Sequence, residues 1–270
     1  MTFKTLATVA ALALAAVALP AKASFVPFTV NESVVPGSVA NTFQAGKLTG
    51  TYKELLGLTS ATTFSASAVG FLSGYTDLNG TAIGSQLTIG PHNPLFDSLV
   101  RYNMYAVFVA AGSATSATTF TGTSGELKLY IDPDRDTVFD QTGTGGFSSF
   151  TTLPVAASGA TEDLLIGTSV TSYGTGDLIG PPGAFNIFFD KFTLTAFGAS
   201  YWTGINTLNF LLQTNGDIDG IDPTPGVGLP PYKITGDFSA NFTVPEPGSL
   251  ALVGLALAGF GFSRRQKSSK

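Results

Sequence analysis

From residue 24 to residue 244 apolar side chains recur at every second position in short runs, each closed by Gly, Pro or Asp. That period of two is the mark of strands with one buried face. The clearest run is Tyr232 to Val244, where Tyr232, Ile234, Phe238, Phe242 and Val244 face inward. Lys233, Thr235, Asp237, Asn241 and Thr243 then face water, with a bend available at Gly236. Glu126 to Ile131 alternates in the same way, with Leu127, Leu129 and Ile131 on one face and Glu126, Lys128 and Tyr130 on the other.

Further strands are predicted at Lys47 to Leu56, Thr62 to Leu72, Met104 to Ala110, Thr118 to Gly122, Phe185 to Phe189, Phe192 to Phe197 and Leu208 to Gln213. Nine or so short strands are enough for two packed sheets, so the expected fold is all-β and sandwich-like. Long stretches rich in Ala, Leu, Glu and Lys are missing from the body, and few helices are expected. Gly143 to Gly146, Pro181-Pro182-Gly183 and Asp222 to Pro231 read as turns or loops. Neither an internal repeat nor a composition break divides the body.

Both ends break the pattern. Lys4, the apolar run Leu6 to Leu19, Pro20 and then Ala21-Lys22-Ala23 have the form of a secretory signal peptide, with Ala21 and Ala23 as the small residues at the cleavage site. At the other end Pro245-Glu246-Pro247 is an extended hinge, because two prolines fix φ and remove two backbone donors. Leu250 to Phe262 follows without a charge, and Arg264, Arg265, Lys267 and Lys270 close the chain. This is the polarity of a segment whose C-terminus stays in the cytoplasm. As a helix, thirteen residues rise about 20 Å against a hydrocarbon core of about 30 Å. The tail is therefore either a short anchor or a transient stop that a protease removes near the hinge. Three segments result: signal peptide 1–23, a β-rich body 24–244, and a tail 245–270.

Setting the ends aside changes the charge. The whole chain is −5, whereas the body keeps seven of the 13 basic residues and seventeen of the 18 acids, a net charge near −10. Such a body repels nucleic acid and anionic lipid surfaces, so no nucleic-acid partner is expected. With no Cys there is no disulfide framework, and stability has to come from burial and hydrogen bonds.

Catalytic chemistry is poorly represented. His92 is the one histidine and sits between two prolines in Pro91-His92-Asn93-Pro94. No serine lies in a Gly-x-Ser-x-Gly elbow, and no zinc cluster, phosphate loop or dinucleotide fingerprint is present. Paired carboxylates remain, Glu162-Asp163 and Glu54 among them, with nothing to single them out. The expectation is a protein that is not an enzyme. One acidic constellation stands above the background. Asp132, Asp134, Asp136 and Asp140 occupy positions 1, 3, 5 and 9 of a loop, as in an oxygen-ligand calcium site. Thr137 replaces the usual Gly, Gly143 stands where a bidentate Glu would close the site, and Arg135 adds a competing charge. The alternative is an acidic turn capped by Asx hydrogen bonds; calcium is thus the only cofactor the sequence offers.

The tail, Pro245-Glu246-Pro247 followed by a short apolar helix and Arg264-Arg265, resembles the PEP-CTERM sorting signal of Gram-negative bacteria. The resemblance implies a transient inner-membrane anchor, removal of the tail by the membrane protease exosortase, and delivery to the cell surface or extracellular matrix. Phe28 to Gly37, Leu127 to Pro133 with Asp136-Thr137, and Glu162 to Ile166 further resemble the flocculation-associated PEP-CTERM protein family. That narrower likeness implies a structural or adhesive protein held in exopolysaccharide and promoting floc or biofilm formation, and it supplies no catalytic residues. The alternative class is a secreted polysaccharide-binding module or carbohydrate-active enzyme, in which Tyr201-Trp202 could stack on sugar rings, although a core position suits that tryptophan better.

Overall fold

Alternation along the chain becomes sixteen strands among the residues described by the computed structural model, which are 24–91, 101–116, 118–139, 149–177, 183–205, 211–222 and 231–244. Ser24–Phe25 (β1) and Phe28–Asn31 (β2) lead through a 3-10 turn, Glu32–Val34, to Thr42–Ala45 (β3). Lys47–Leu58 (β4), Thr63–Thr76 (β5), Ala82–Ile83 (β6), Asn103–Ala114 (β7) and Thr119–Asp132 (β8) follow. Leu164–Ser169 (β9), Thr171–Asp177 (β10), Gly183–Asp190 (β11) and Thr193–Leu194 (β12) come next. One helix, Ala196–Tyr201 (α1), precedes Trp202–Thr203 (β13), Leu211–Ile218 (β14), Gly220–Asp222 (β15) and Tyr232–Val244 (β16).

The strands do not form the expected sandwich. β4, β5, β7 and β8 pair as an antiparallel meander, β10, β11, β14 and β16 continue it, and β16 returns to pair with β4. The remaining seam is closed by β8, which pairs with β9 through 127–131 and with β10 through 119–122. The result is an eight-stranded up-and-down barrel, which leaves no sheet edge along its ring. A sandwich and a barrel both bury every second residue, so alternation cannot separate them; long-range pairing of the last long strand with the first decides.

Three apolar clusters fill and coat this ring. One end is packed by Phe28, Val30, Leu48, Tyr75, Met104, Ile131, Ile166, Tyr201, Trp202 and Phe242 with their neighbours. Phe28, Trp202 and Phe242 meet edge to face at 5.1 to 5.6 Å between ring centres, a geometry that contributes about 1 kcal/mol per pair beyond burial. The small sheet β13–β2–β3 carries Phe28, Val30 and Trp202 into that cluster. Tyr52, Leu56, Phe64, Phe120, Tyr232 and Ile234 form the second cluster. The third lies on the outer face, where Leu55, Val69, Tyr105 and Val107 are covered by Phe139, Phe150 and Leu153. That cover explains why β5 reads as apolar on both faces.

A buried polar network ties the N-terminal segment to the barrel. Glu32 is fully buried, and its carboxylate accepts from Tyr102 Oη at 2.8 Å, Gln86 N at 2.8 Å, Asn41 Nδ2 at 2.6 Å and Gln86 Nε2 at 3.2 Å. Tyr102 and Tyr75 each share a hydrogen bond with the Tyr201 hydroxyl, at 2.5 and 2.8 Å. A charge taken out of water is tolerable when so many donors surround it.

Local departures from the sequence pattern have physical causes. The expected strands at 118–122 and 126–131 are one bent strand, because the β7–β8 register shifts at Ala111/Gly112 and the bulge keeps pairing continuous. Phe192 to Phe197 is not a strand: β12 gives way to α1, capped by Thr195, whose hydroxyl accepts from Gly198 N at 3.0 Å. Any Cβ at Gly198 would meet Ile166 O at 1.9 Å, so only glycine lets this helix lie on β9. In β16, Lys233, Thr235 and Asp237 are exposed as the alternation predicts, whereas Asn241 and Thr243 are buried, on the stretch where Val26 N donates to Phe242 O.

Candidate functional site

The acidic loop begins where β8 ends. Asp132 is buried, and its carboxylate turns back onto the chain, accepting from Arg135 N at 2.5 Å, Asp136 N at 3.4 Å and Thr137 N at 3.2 Å. This is an Asx-capped turn, made possible by Arg135 at φ 62. The Arg135 side chain is itself buried and donates from Nε and Nη2 to Gly90 O, at 3.1 and 3.0 Å, and from Nη2 to Pro91 O at 3.0 Å. Asp134 and Asp136 are exposed, and Asp140 lies outside the described residues. Among the described residues Asp132, Asp134 and Asp136 do not form a group whose ligand atoms converge.

A different set converges. Ile131 pairs with Leu164 across the antiparallel β8–β9 ladder, so the residue after one and the residues before the other meet at the same corner. Ligand atoms of Asp132, Glu162 and Asp163 lie within 4.8 Å of one another, the one such acidic group among the described residues. Asp163 Oδ2 accepts from the Tyr105 hydroxyl and from Thr137 Oγ1 at 2.9 Å. Burial pushes the Asp163 carboxyl up to about 6. Hydrogen bonding to Glu162 raises the Asp136 carboxyl, and the Thr161 hydroxyl bound to Glu162 at 2.8 Å lowers Glu162. Among the described residues Asp163 Oδ1 and Glu162 Oε1 are buried with no hydrogen-bond partner. Two free carboxylate oxygens beside a third carboxylate form a hard, oxygen-only donor set of the kind Ca²⁺ takes. Glu162-Asp163 is visible in the sequence as an acid pair; what could have singled it out is its position just before an apolar strand that partners the strand ending in Asp132.

Other expected residues fall differently. Tyr201 and Trp202 are 0% and 1% exposed and cannot stack on sugars. His92 lies outside the described residues, as do Ala21 and Ala23 of the signal peptide and Pro245, Glu246, Pro247, Arg264 and Arg265 of the tail. Among the described residues no helix is long and apolar enough to cross a membrane.

Segments 28–37, 127–133 and 162–166 share one core. Phe28 and Val30, Leu127, Leu129 and Ile131, and Ile166 belong to one buried cluster although they are up to 138 positions apart in the chain. Comparison with known proteins matches the tail. A family model of the PEP-CTERM protein-sorting motif matches residues 243–265. No curated protein and no solved structure matches the chain. The chain carries the PEP-CTERM sorting signal and is, by that signal, an exosortase-targeted protein exported from the cell.

Proposed function

We propose that this protein is a structural or adhesive component of the cell surface and exopolysaccharide matrix, released from a transient membrane anchor by exosortase and promoting cell aggregation. The observation that carries the reading is where the signal begins. The motif starts at residue 243, and β16 ends at Val244. A cut in the Pro245 to Pro247 hinge would leave every pairing of the barrel intact, including Leu211 with Thr243. A cut further upstream would open the ring. Support also comes from the acidic, cysteine-free body, which stays soluble outside the cell without disulfides, and from the clustering of the three family-like segments. Polysaccharide is the partner this reading implies.

The test replaces Pro245, Glu246 and Pro247 by alanine in the native host. Export past the signal peptide should be unchanged, the full-length chain should accumulate in the membrane fraction, and settling of cells into flocs should fall. Mass spectrometry of the surface-associated wild type should give a chain that starts at Ser24 and ends within the hinge. Finding peptides that extend through Ser263 in that fraction would exclude processing, and a deletion strain that still flocculates normally would exclude the aggregation role.

A further inference from the structure

The barrel is not filled along its length. Between its packed layers lies a void of about 150 Å³. Small residues create it: Ala68, Gly70, Ala106 and Gly174 stand at inward positions where bulkier side chains would otherwise meet. Into this apolar space points Glu54, from the middle of β4 between the inward-facing Tyr52 and Leu56. Among the described residues its carboxyl has no hydrogen bond and no ion pair, unlike Glu32, which has four donors. Tyr52 does not serve it, since that hydroxyl donates to Asp217 O at 3.0 Å. Burial alone pushes the Glu54 carboxyl up to about 7.

We infer that the barrel lumen binds a small apolar molecule bearing one cationic amine, with the Glu54 carboxylate as its counter-charge. The wall decides the body of the ligand: an apolar void of this size holds about one ring and is a poor place for water, which needs several polar partners. The carboxylate decides the head. Ionised, it can only accept, so its partner has to donate and carry the opposite charge. Tyr173, in the 171–177 strand, borders the lumen and is 46% exposed to solvent. This inference stands apart from the sorting signal and from any role in aggregation.

Benzylamine and toluene share a ring and differ in the head, and they are the probes. Each is titrated by calorimetry and by ligand-observed NMR into the protein purified as the cell exports it, into Glu54→Gln, and into Ala68→Leu, which fills the lumen opposite Glu54. Benzylamine should bind the wild type at least about tenfold more tightly than it binds Glu54→Gln, the scale of one charge-assisted hydrogen bond. Toluene should bind those two alike, and Ala68→Leu should weaken both probes. Glu54→Gln keeps volume and shape, so the comparison holds even if Ala68→Leu fails to fold. Equal affinity of benzylamine for wild type and Glu54→Gln, or no binding of benzylamine to the wild type at millimolar concentration, would overturn the inference.

Discussion

Glu54→Gln should remove a pH dependence from the stability of the barrel. In the folded chain burial raises the Glu54 carboxyl from an ordinary 4.5 to about 7. Its folded value lies above its unfolded value, so the native state holds the proton more tightly. The contribution of this group is most favourable below pH 4.5, where both states are protonated at no electrostatic cost. As the pH rises from 4.5 to 7 the unfolded chain ionises while the native chain resists, and stability falls; above 7 the loss is complete. The interval between the two values corresponds to about 3 kcal/mol. Glu54 lines the apolar lumen, so bulk water screens little of this cost. Tyr52, the titratable neighbour, is raised by burial and stays neutral throughout. Urea unfolding of wild type and Glu54→Gln between pH 4.5 and 8 isolates the effect, since every other titrating group cancels in the difference. The variant should gain about 3 kcal/mol on the wild type across that range. Parallel stability curves would show that Glu54 is solvated and would refute the reasoning.

Two further outcomes follow from the geometry. Replacing Glu32 by alanine leaves the Tyr102, Asn41 and Gln86 donors without their acceptor, and should destabilise the chain by about 3 kcal/mol in denaturant unfolding. Conversion to glutamine, which keeps an acceptor, should cost less. Millimolar Ca²⁺ should raise the melting temperature through the Asp132, Glu162 and Asp163 corner. Glu162→Gln with Asp163→Asn should abolish that rise, whereas Asp134→Asn should leave it unchanged, since Asp134 is exposed and outside that corner.

Much of the secondary structure was legible in the sequence because alternation reports a local fact, which side of a strand faces the core. The 232–244 run has the same limits in the structure, and β4, β5, β7 and β11 extend their expected runs by a few residues at most on either side. The acid spacing at Asp132 was legible only as a pattern. Spacing says nothing of whether a carboxylate faces a cation or its own backbone, and the left-handed Arg135 settles that for the turn. α1 was illegible for another reason. Six residues are too few to show helical periodicity, and the need for Gly198 exists only once Ile166 lies against it.

What the sequence determined by itself is therefore what neighbouring residues decide together. It set the all-β character, the acidic cysteine-free body, and the sorting motif at 243–265, whose order of hinge, apolar run and basic end is read without folding. Tertiary structure decided everything that depends on residues far apart meeting. Closure of β16 on β4 makes a barrel of what could have been a sandwich, the β8–β9 pairing brings Glu162 and Asp163 to Asp132, and only inside a closed ring does Glu54 become a carboxyl that faces an apolar lumen. The physical reason is that a period of two fixes which face a side chain takes, while long-range pairing fixes what that face looks upon.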